Sequence, residues 1–402
     1  MASTVFSGGQ IFDGTGTAPT SGDIRVENGR IAEVGVGLDG DVQVDVTGQT
    51  IFPGFFDCHV HLTMTSIDTL ERLNAPPSYR FYEALNNMQV TLDAGITSVR
   101  DASGADLGVK RAVDNGLVPG PRMQIAISML SQTGGHGDGH VLCGADIRMP
   151  WPGAPSGVVD GPDEMRKRVR ELIRHGASVI KVATSGGVLS PISDPRLGHL
   201  RDAELEVLVE EATAAGLHVM AHAQATDGIK AAVRNGIRSI EHGIYLDDEA
   251  IQMMLDRGTY LVPTLLAPRL VVEGAGAGVR LSERVLEKVH MVIAAHTDSI
   301  SRAIDAGVTI AMGTDSGVGP HGQNLRELGL LVDAGLSPTA ALVSATKTAA
   351  ELLGVEDDLG TIAEGKLADF IIVDGDPLDV GKIQQNIIGV YKGGELVSSH
   401  PA

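Results

Sequence analysis

The sequence predicts an α/β protein, a (β/α)8 TIM barrel carrying a small β-sandwich domain built from both chain ends. Three observations predict it. From Phe55 to about residue 356, short apolar runs alternate with helix-like stretches, the pattern of parallel strands joined by helices. Residues 1–50 and the segment after 356 read instead as strands and turns. And 402 residues exceed what one small core needs. The expected division is 1–54 and 357–402 for the two parts of the small domain and 55–356 for the barrel.

In order along the chain, the first expected strands are Thr4–Phe6, Gly9–Phe12, Asp23–Glu27, Arg30–Val34 and Val42–Asp45. Asn28-Gly29 between two of them is a strong hairpin signal. The barrel strands are expected at Phe55–His61, Ser98–Asp101, Arg122–Ser128, Val179–Ala183, His218–His222, Ser239–His242, Leu261–Thr264 and Thr309–Gly313. Helices are expected over Pro162–His175, Asp202–Ala215 and Asp227–Asn235. The first has Asp163 and Glu164 early and Arg168, Arg170 and Arg174 late, as the helix dipole prefers. The other two stop at Gly216 and Gly236, the usual residue after a last helical turn. Gly360–Ile362, Phe370–Val373 and Ile388–Tyr391 return to strand texture, with Gly393-Gly394 as a turn. No Gly-x-Gly-x-x-Gly stands at a strand–helix junction and no P-loop is present, which weakens a doubly wound open sheet.

Composition narrows the function classes. A formal charge of −20 argues against a nucleic-acid footprint. Tyr79, Phe81 and Tyr82 lack a basic surround and read as packing. No apolar stretch is long enough for a membrane span. Cys58 and Cys143 form no Cys-x-x-Cys motif, so a reduced compartment is the simpler reading, and with no signal-like N-terminus a cytoplasmic location is expected. The 51 glycines are about twice the usual share but are spread along the chain, as tight turns would require. Ser131 to Gly161 is Gly-rich and aperiodic. Connections of that length often act as lids or binding loops, and this one follows the third expected strand, at the end of a barrel where active sites are built.

Six residues could carry chemistry. His59 and His61 are two apart in a strand and point to the same side, and neutral imidazole is a common zinc ligand. Lys181 sits in the apolar run Ser178–Thr184. Lysine is rarely buried without a partner, and desolvation lowers its pKa. A neutral amine can add carbon dioxide to give a carbamate whose two oxygens bridge two metals; the plain alternative is a lysine paired with a carboxylate. His222 and His242 end strands, and Asp315 follows one. Singly, each histidine reads as structural and Asp315 as a helix cap. Jointly, all six fall at or just after strand ends, on the catalytic face of a barrel.

The set resembles the amidohydrolase superfamily, in particular its metal-dependent dipeptidase (Xaa-Pro dipeptidase-like) and imidazolonepropionase-like branch. The resemblance rests on Pro53-Gly-Phe-Phe-Asp-Cys-His-Val-His61, Ile180-Lys-Val-Ala-Thr-Ser-Gly-Gly187, Ile240-Glu-His-Gly243, Gly313-Thr-Asp-Ser316 and Gly360–Phe370. It implies two divalent metals, most often Zn2+. His59, His61 and Asp315 would hold the first, His222 and His242 the second, and a carboxylated Lys181 would bridge them with a hydroxide. Asp315 would take the proton of that nucleophile and pass it to the leaving nitrogen, combining a metal-activated nucleophile with acid–base transfer. In Ser131–His140 the likeness sets His140 against the oxygen of the tetrahedral intermediate, with a catalytic His136 or a purely structural loop as alternatives. His321, Gly322 and Asn324 fall where the branch places residues near substrate, and a homo-oligomer is implied. One departure stands out: many relatives read His-Ala-Tyr-Thr where this chain has His222-Ala-Gln-Ala225. Gln224 keeps a hydrogen-bonding amide but loses the ring and the phenol.

The leading expectation is hydrolysis of an amide bond in a small molecule, a dipeptide or N-acyl amino acid. The alternative is a non-peptide C–N substrate: a cyclic amide, an aryl amide toxin such as an ochratoxin-like compound, a carbamate or a phenylurea. A non-catalytic structural module is the third.

Overall fold

The computed structural model describes residues 2–399 apart from 142, 148–151 and 191. Part of the Ser131–Gly161 connection therefore lies outside the described residues. Five strands open the chain: β1 (Thr4–Ile11), β2 (Thr20–Glu27), β3 (Arg30–Gly35), β4 (Val42–Asp45) and β5 (Gln49–Pro53). After Gly54 come β6 (Phe55–Val60), α1 (Thr69–Asn74), α2 (Tyr79–Asp93), β7 (Ile96–Asp101), α3 (Leu107–Asp114), β8 (Arg122–Ile125) and β9 (Met129–Leu130). Strands and helices then alternate through α4 (Pro162–Arg174), β10 (Ile180–Ala183), α5 (Asp202–Ala214), β11 (Val219–Ala223), α6 (Thr226–Arg234), β12 (Ser239–His242), α7 (Asp248–Arg257) and β13 (Tyr260–Val262). Five helices follow: α8 (Leu266–Gly276), α9 (Glu283–Ala306), α10 (Arg326–Asp333), α11 (Pro338–Ser344) and α12 (Lys347–Leu353). The chain closes with β14 (Phe370–Asp374), β15 (Ile387–Lys392) and β16 (Glu395–Ser399).

Eight of these strands share one sheet in the order β16-β15-β14-β5-β1-β2-β3, with β4 also on β1. They are connected as one sheet where the sequence suggested a sandwich. The reason lies in β1: its register shifts between Phe6 and Gly9, so its first half pairs with β4 and its last residues with β5. Phe6, Ile24, Ile51, Phe370 and Ile372 fill its core, and Phe6 meets Phe370 edge to face at 4.8 Å, a favoured aromatic geometry.

The remaining strands are parallel. One sheet runs β13-β12-β11-β10-β9 and another β6-β7-β8. Backbone bonds pass between them on both sides. Ser178 N donates to Ile125 O at 2.9 Å. On the other side, the extended segment Thr309–Ser316 accepts from Leu261 N at Thr309 O (2.9 Å) and from Cys58 N at Met312 O (2.9 Å), and Asp315 N donates to His59 O at 2.8 Å. The strand expected at Thr309–Gly313 is thus an extended segment with isolated bridges, and Asp315 just beyond it holds a left-handed φ of 61°. Gly360–Ile362, also expected as strand, is a bend whose Ile362 N donates to Asp13 O.

The largest core joins strand residues such as Val99, Ile180 and Ile240 to helix residues such as Leu172, Leu208 and Ile229. Each such side chain contributes about 1.5–3 kcal/mol on burial. The three helices expected from sequence match α4, α5 and α6 to within a residue at each end. The 24-residue α9 was not foreseen. The packing role expected for Tyr79 and Tyr82 does not hold: they are 52% and 68% exposed, because they occupy the outer face of α2.

Candidate active site

The parallel strands deliver their polar side chains to one place. His59 is in β6, Lys181 in β10, His222 in β11 and His242 ends β12, while His61 and Asp315 follow their strands. Asp315 Oδ1 lies 3.5 Å from His59 Nε2 and 3.2 Å from His61 Nε2. Ligand atoms of His59, His61 and Asp315 all fall within 4.8 Å of one another, a spacing that fits one metal ion. The other imidazoles adjoin them. The His59 and His242 ring centroids are 5.1 Å apart, and those of His222 and His242 are 4.6 Å apart. Lys181 is buried among these groups and Nζ makes no hydrogen bond among the described residues.

Each imidazole has one nitrogen tied behind the site. His59 Nδ1 donates to Glu241 Oε2 at 2.7 Å. His61 Nδ1 donates to Ser103 O at 2.9 Å. His242 Nδ1 pairs with Thr264 Oγ1 at 2.7 Å, and His222 Nε2 donates to Gly186 O at 3.0 Å. The other nitrogen of each ring is left for a ligand, Nε2 in three cases and Nδ1 in His222. Metal-binding histidines are oriented in this way by their outer partners. The donor set, four imidazoles, a carboxylate and a buried amine, fits borderline divalent metals such as zinc.

A second layer holds these groups, and sequence reasoning missed most of it. Glu241 is wholly buried and bridges His59 to the Arg100 guanidinium, 2.9 Å away. Arg100 also donates to Cys58 O and Ser239 Oγ. A charged pair of opposite sign in two apolar strands was the available signal, since such groups are seldom buried unpaired. Asp57 accepts from His59 N (3.0 Å), Thr314 N (3.1 Å) and Asn324 Nδ2 (2.7 Å), locking the strand that carries His59 to the segment that carries Asp315. Asn324 is fully buried and its amide nitrogen is spent on Asp57 and Ser316. Its Oδ1 has no partner among the described residues. Thr264, His242 and Asp315 all hold positive φ (55°, 74° and 61°), conformations that cost about 1–3 kcal/mol each and cluster at functional sites. Glu327 secures one of them, accepting from the Leu265 and Leu266 amides just after Thr264.

Burial decides the charge states. It pulls His59, His222 and His242 well below the ordinary imidazole value, so all three are neutral and able to ligate. Burial also depresses His61, but the hydrogen bond and charge of Asp315 outweigh it and hold the ring above its usual value. Asp315 stays below the usual carboxylate range: burial raises it, and His59, His61 and Lys181 outweigh that. Desolvation brings Lys181 down to about 8. The same cause lifts Asp57 to about 6 and Glu327 to about 8.

Beside the imidazoles a cavity of about 470 Å3, counted to its open mouth, is lined by His136, His222, Gln224, His242 and Asp315 and by aliphatic side chains. His136 stacks on His222, with centroids 4.0 Å apart and planes 13° apart. Gly187 permits this, because a Cβ there would collide with the His136 ring. His140, the residue expected at the reacting oxygen, is exposed and outside the lining. The tight turn made by Gly134 N on Asp138 and Gly135 N on Gln132 O sends His136 inward, and the chain then leads away to the His140–Asp146 bridge. His321 has its Nε2 on Met64 O at 3.0 Å and is not in the lining. Gln224 is 6% exposed, its backbone amide on Ser185 Oγ and its Oε1 without a partner.

This geometry suits attack on a polarised carbonyl, and the comparisons agree. The amidohydrolase family model matches residues 50–397. Ochratoxinase of Aspergillus niger is 34% identical over 364 residues, covering 86% of this chain and 75% of that protein. A crystal structure of a Xaa-Pro dipeptidase with methionine bound in its active site has a TM-score of 0.90 at 32% identity, over 98% of this chain and 99% of that one. A prolidase complexed with N-methylphosphonate-L-proline gives 0.92 at 34%, over 99% and 100%. The chain belongs to the amidohydrolase family, within its dipeptidase-like branch.

Proposed function

We propose that this chain is a binuclear metal-dependent hydrolase of carbon–nitrogen bonds in small molecules, acting on an amide. The observation that carries the reading is the ring of imidazoles, each with one nitrogen fixed and one left for a ligand, around the buried, unpartnered Lys181. His59, His61 and Asp315 would hold one metal, and His222 and His242 a second, with zinc the best match to the donors. Lys181, carboxylated by carbon dioxide with loss of a proton, would offer its carbamate oxygens to both. The lowered lysine pKa supports this, since the neutral amine is the reacting form. When bound, the metals supply Lewis-acid polarisation of the carbonyl and a water of lowered pKa. Asp315 Oδ1, between His59 and His61, takes a proton and returns it to the leaving nitrogen. His136, in the cavity wall, is the chain's best-placed side chain to donate to the developing oxyanion. Gln224 contacts substrate, His321 borders its entry, and Asn324 keeps Asp57 in place.

The fold that supports this reading is an eight-stranded barrel, with residues 55–356 forming it and the two chain ends forming the small domain. The bonds of Thr309–Ser316 to β6 and β13, together with the solved relatives, support its closure. The exposed Leu70, Leu73, Tyr79 and Tyr82 on α1 and α2 support a homo-oligomer. Among the described residues no helix is long and apolar enough to cross a membrane, and the cytoplasm is the location proposed.

Dipeptides and N-acyl amino acids on one hand, and aryl amides, carbamates and phenylureas on the other, are the two substrate groups to compare. Steady-state turnover of a panel drawn from both, with zinc present, tests the reading. Hydrolysis of at least one class is expected; a panel left intact by zinc-loaded protein would refute it.

A further inference from the structure

A large part of the cavity lining is aliphatic. Val188 and Leu189 come from the loop after β10, Ile244 follows β12, Val271 is on α8 and Val292 on α9. Most of these belong to one apolar cluster that continues into Val285 and Val289 of α9. It is therefore a built wall with packed backing. The polar groups that share the lining are imidazoles, Thr264, Asp315 and the Gln224 amide, and no lysine or arginine is in the lining among the described residues.

Two cations lie near enough to matter. Lys288 on α9 is buried, and its three protons are spent on Gly187 O (3.0 Å), Ser190 O (2.5 Å) and Ser193 O (3.1 Å). That arrangement pins the Val188–Leu189 wall to α9 and leaves nothing to offer a substrate. Arg269 on α8 acts on Glu327 and on His296, a lining residue, and its Nη1 has no partner among the described residues, but its own side chain is outside the lining. A carboxylate moved into this cavity would lose its water and meet aliphatic carbon and a neutral amide, which is costly without a partner. A neutral group would lose nothing and bury apolar surface.

We propose that the cavity between α8, α9 and Gln224 selects an uncharged, apolar group of the substrate, branched aliphatic or aryl, and rejects a free carboxylate at that position. The proposal rests on the hydrolase reading and deepens it. Substrates are then neutral amides with an apolar flank, with the buried Oε1 of Gln224 accepting from an amide N–H.

The test uses matched pairs with the same scissile bond in the zinc-loaded full chain. N-benzoylphenethylamine is set against N-benzoyl-L-phenylalanine, and butyranilide against succinanilic acid, so that the carboxylate is placed on either side of the bond. The neutral member of at least one pair is expected to have the higher kcat/KM by about tenfold or more. Val292→Lys should shift that ratio toward the acid by about tenfold, while Val292→Met, a volume-tolerant control, should keep it. Parity, or preference for the acids, in every pair that turns over would overturn the proposal and leave the hydrolase reading standing; loss of that acid preference in Arg269→Ala would identify the anchor. If no pair and no peptide is cleaved, the hydrolase reading itself fails and the proposal with it.

Discussion

Thr264 Oγ1 lies 2.7 Å from His242 Nδ1, and both residues hold left-handed backbone conformations, φ 55° and 74°. The pair fixes which nitrogen His242 turns to the site. A ligand histidine freed from such a partner typically loses 10–100-fold in metal affinity. Thr264→Val keeps the shape and removes the hydroxyl, so its zinc affinity, measured by competition with a chromophoric chelator, should fall by about that factor. Thr264→Ser should stay near the parent. Equal affinities in all three would remove Thr264 from the account.

Lys181→Ala should abolish turnover. The replaced side chain leaves room for a small anion, so formate, acetate or propionate at millimolar concentration should restore a measurable fraction. Full activity in the unrescued variant would show that no bridge is needed at this position.

The two loop histidines should separate. His136 stacks on His222 in the cavity wall and His140 is exposed. His136→Asn is expected to lower kcat/KM by about a hundredfold, the scale of a lost oxyanion donor, and His140→Asn to change it by less than about threefold. The reverse ranking would return His140 to the role the family likeness implied.

Glu327 gives a pH signature. Burial lifts its carboxyl to about 8 in the folded chain, against about 4.5 when exposed. Between these values the unfolded chain has released the proton and the folded chain keeps it. This group's contribution is therefore full below about pH 4.5 and is lost as the pH rises through 8. In chemical denaturation at pH 5, 6.5 and 8, Glu327→Gln should show a shallower fall in stability than the parent. It should also be less stable at pH 5 by about 1 kcal/mol, because an amide cannot accept from both Leu265 and Leu266 N–H. Parallel pH profiles would contradict this.

The residues proposed to hold metal were the ones easiest to see. His59 and His61 share a face by strand alternation, and the chemistry of histidine is visible wherever it stands. The supports were harder. Glu241 neighbours His242 in sequence, yet its partners Arg100 and His59 come from other strands, and no local pattern joins them. Asn324 was expected near substrate from the family likeness alone, and its amide nitrogen proves to hold Asp57, a contact between distant stretches that no local pattern shows. His136 and His140 could not be ranked without the turn between them, which depends on Asp138 and Ser131. The cavity wall was invisible for a different reason: α9 and the loop pinned by Lys288 assemble it from five separate stretches, and aliphatic residues carry no signature of a binding role.

The imidazoles around Lys181 are proposed to hold the metal that drives amide hydrolysis. Elemental analysis of purified protein, paired with turnover before and after chelation, decides this. Close to two equivalents of a divalent transition metal per chain are expected, with loss of turnover when they are stripped and recovery on adding zinc. Protein that binds none, or whose turnover survives complete removal of metal, would contradict it.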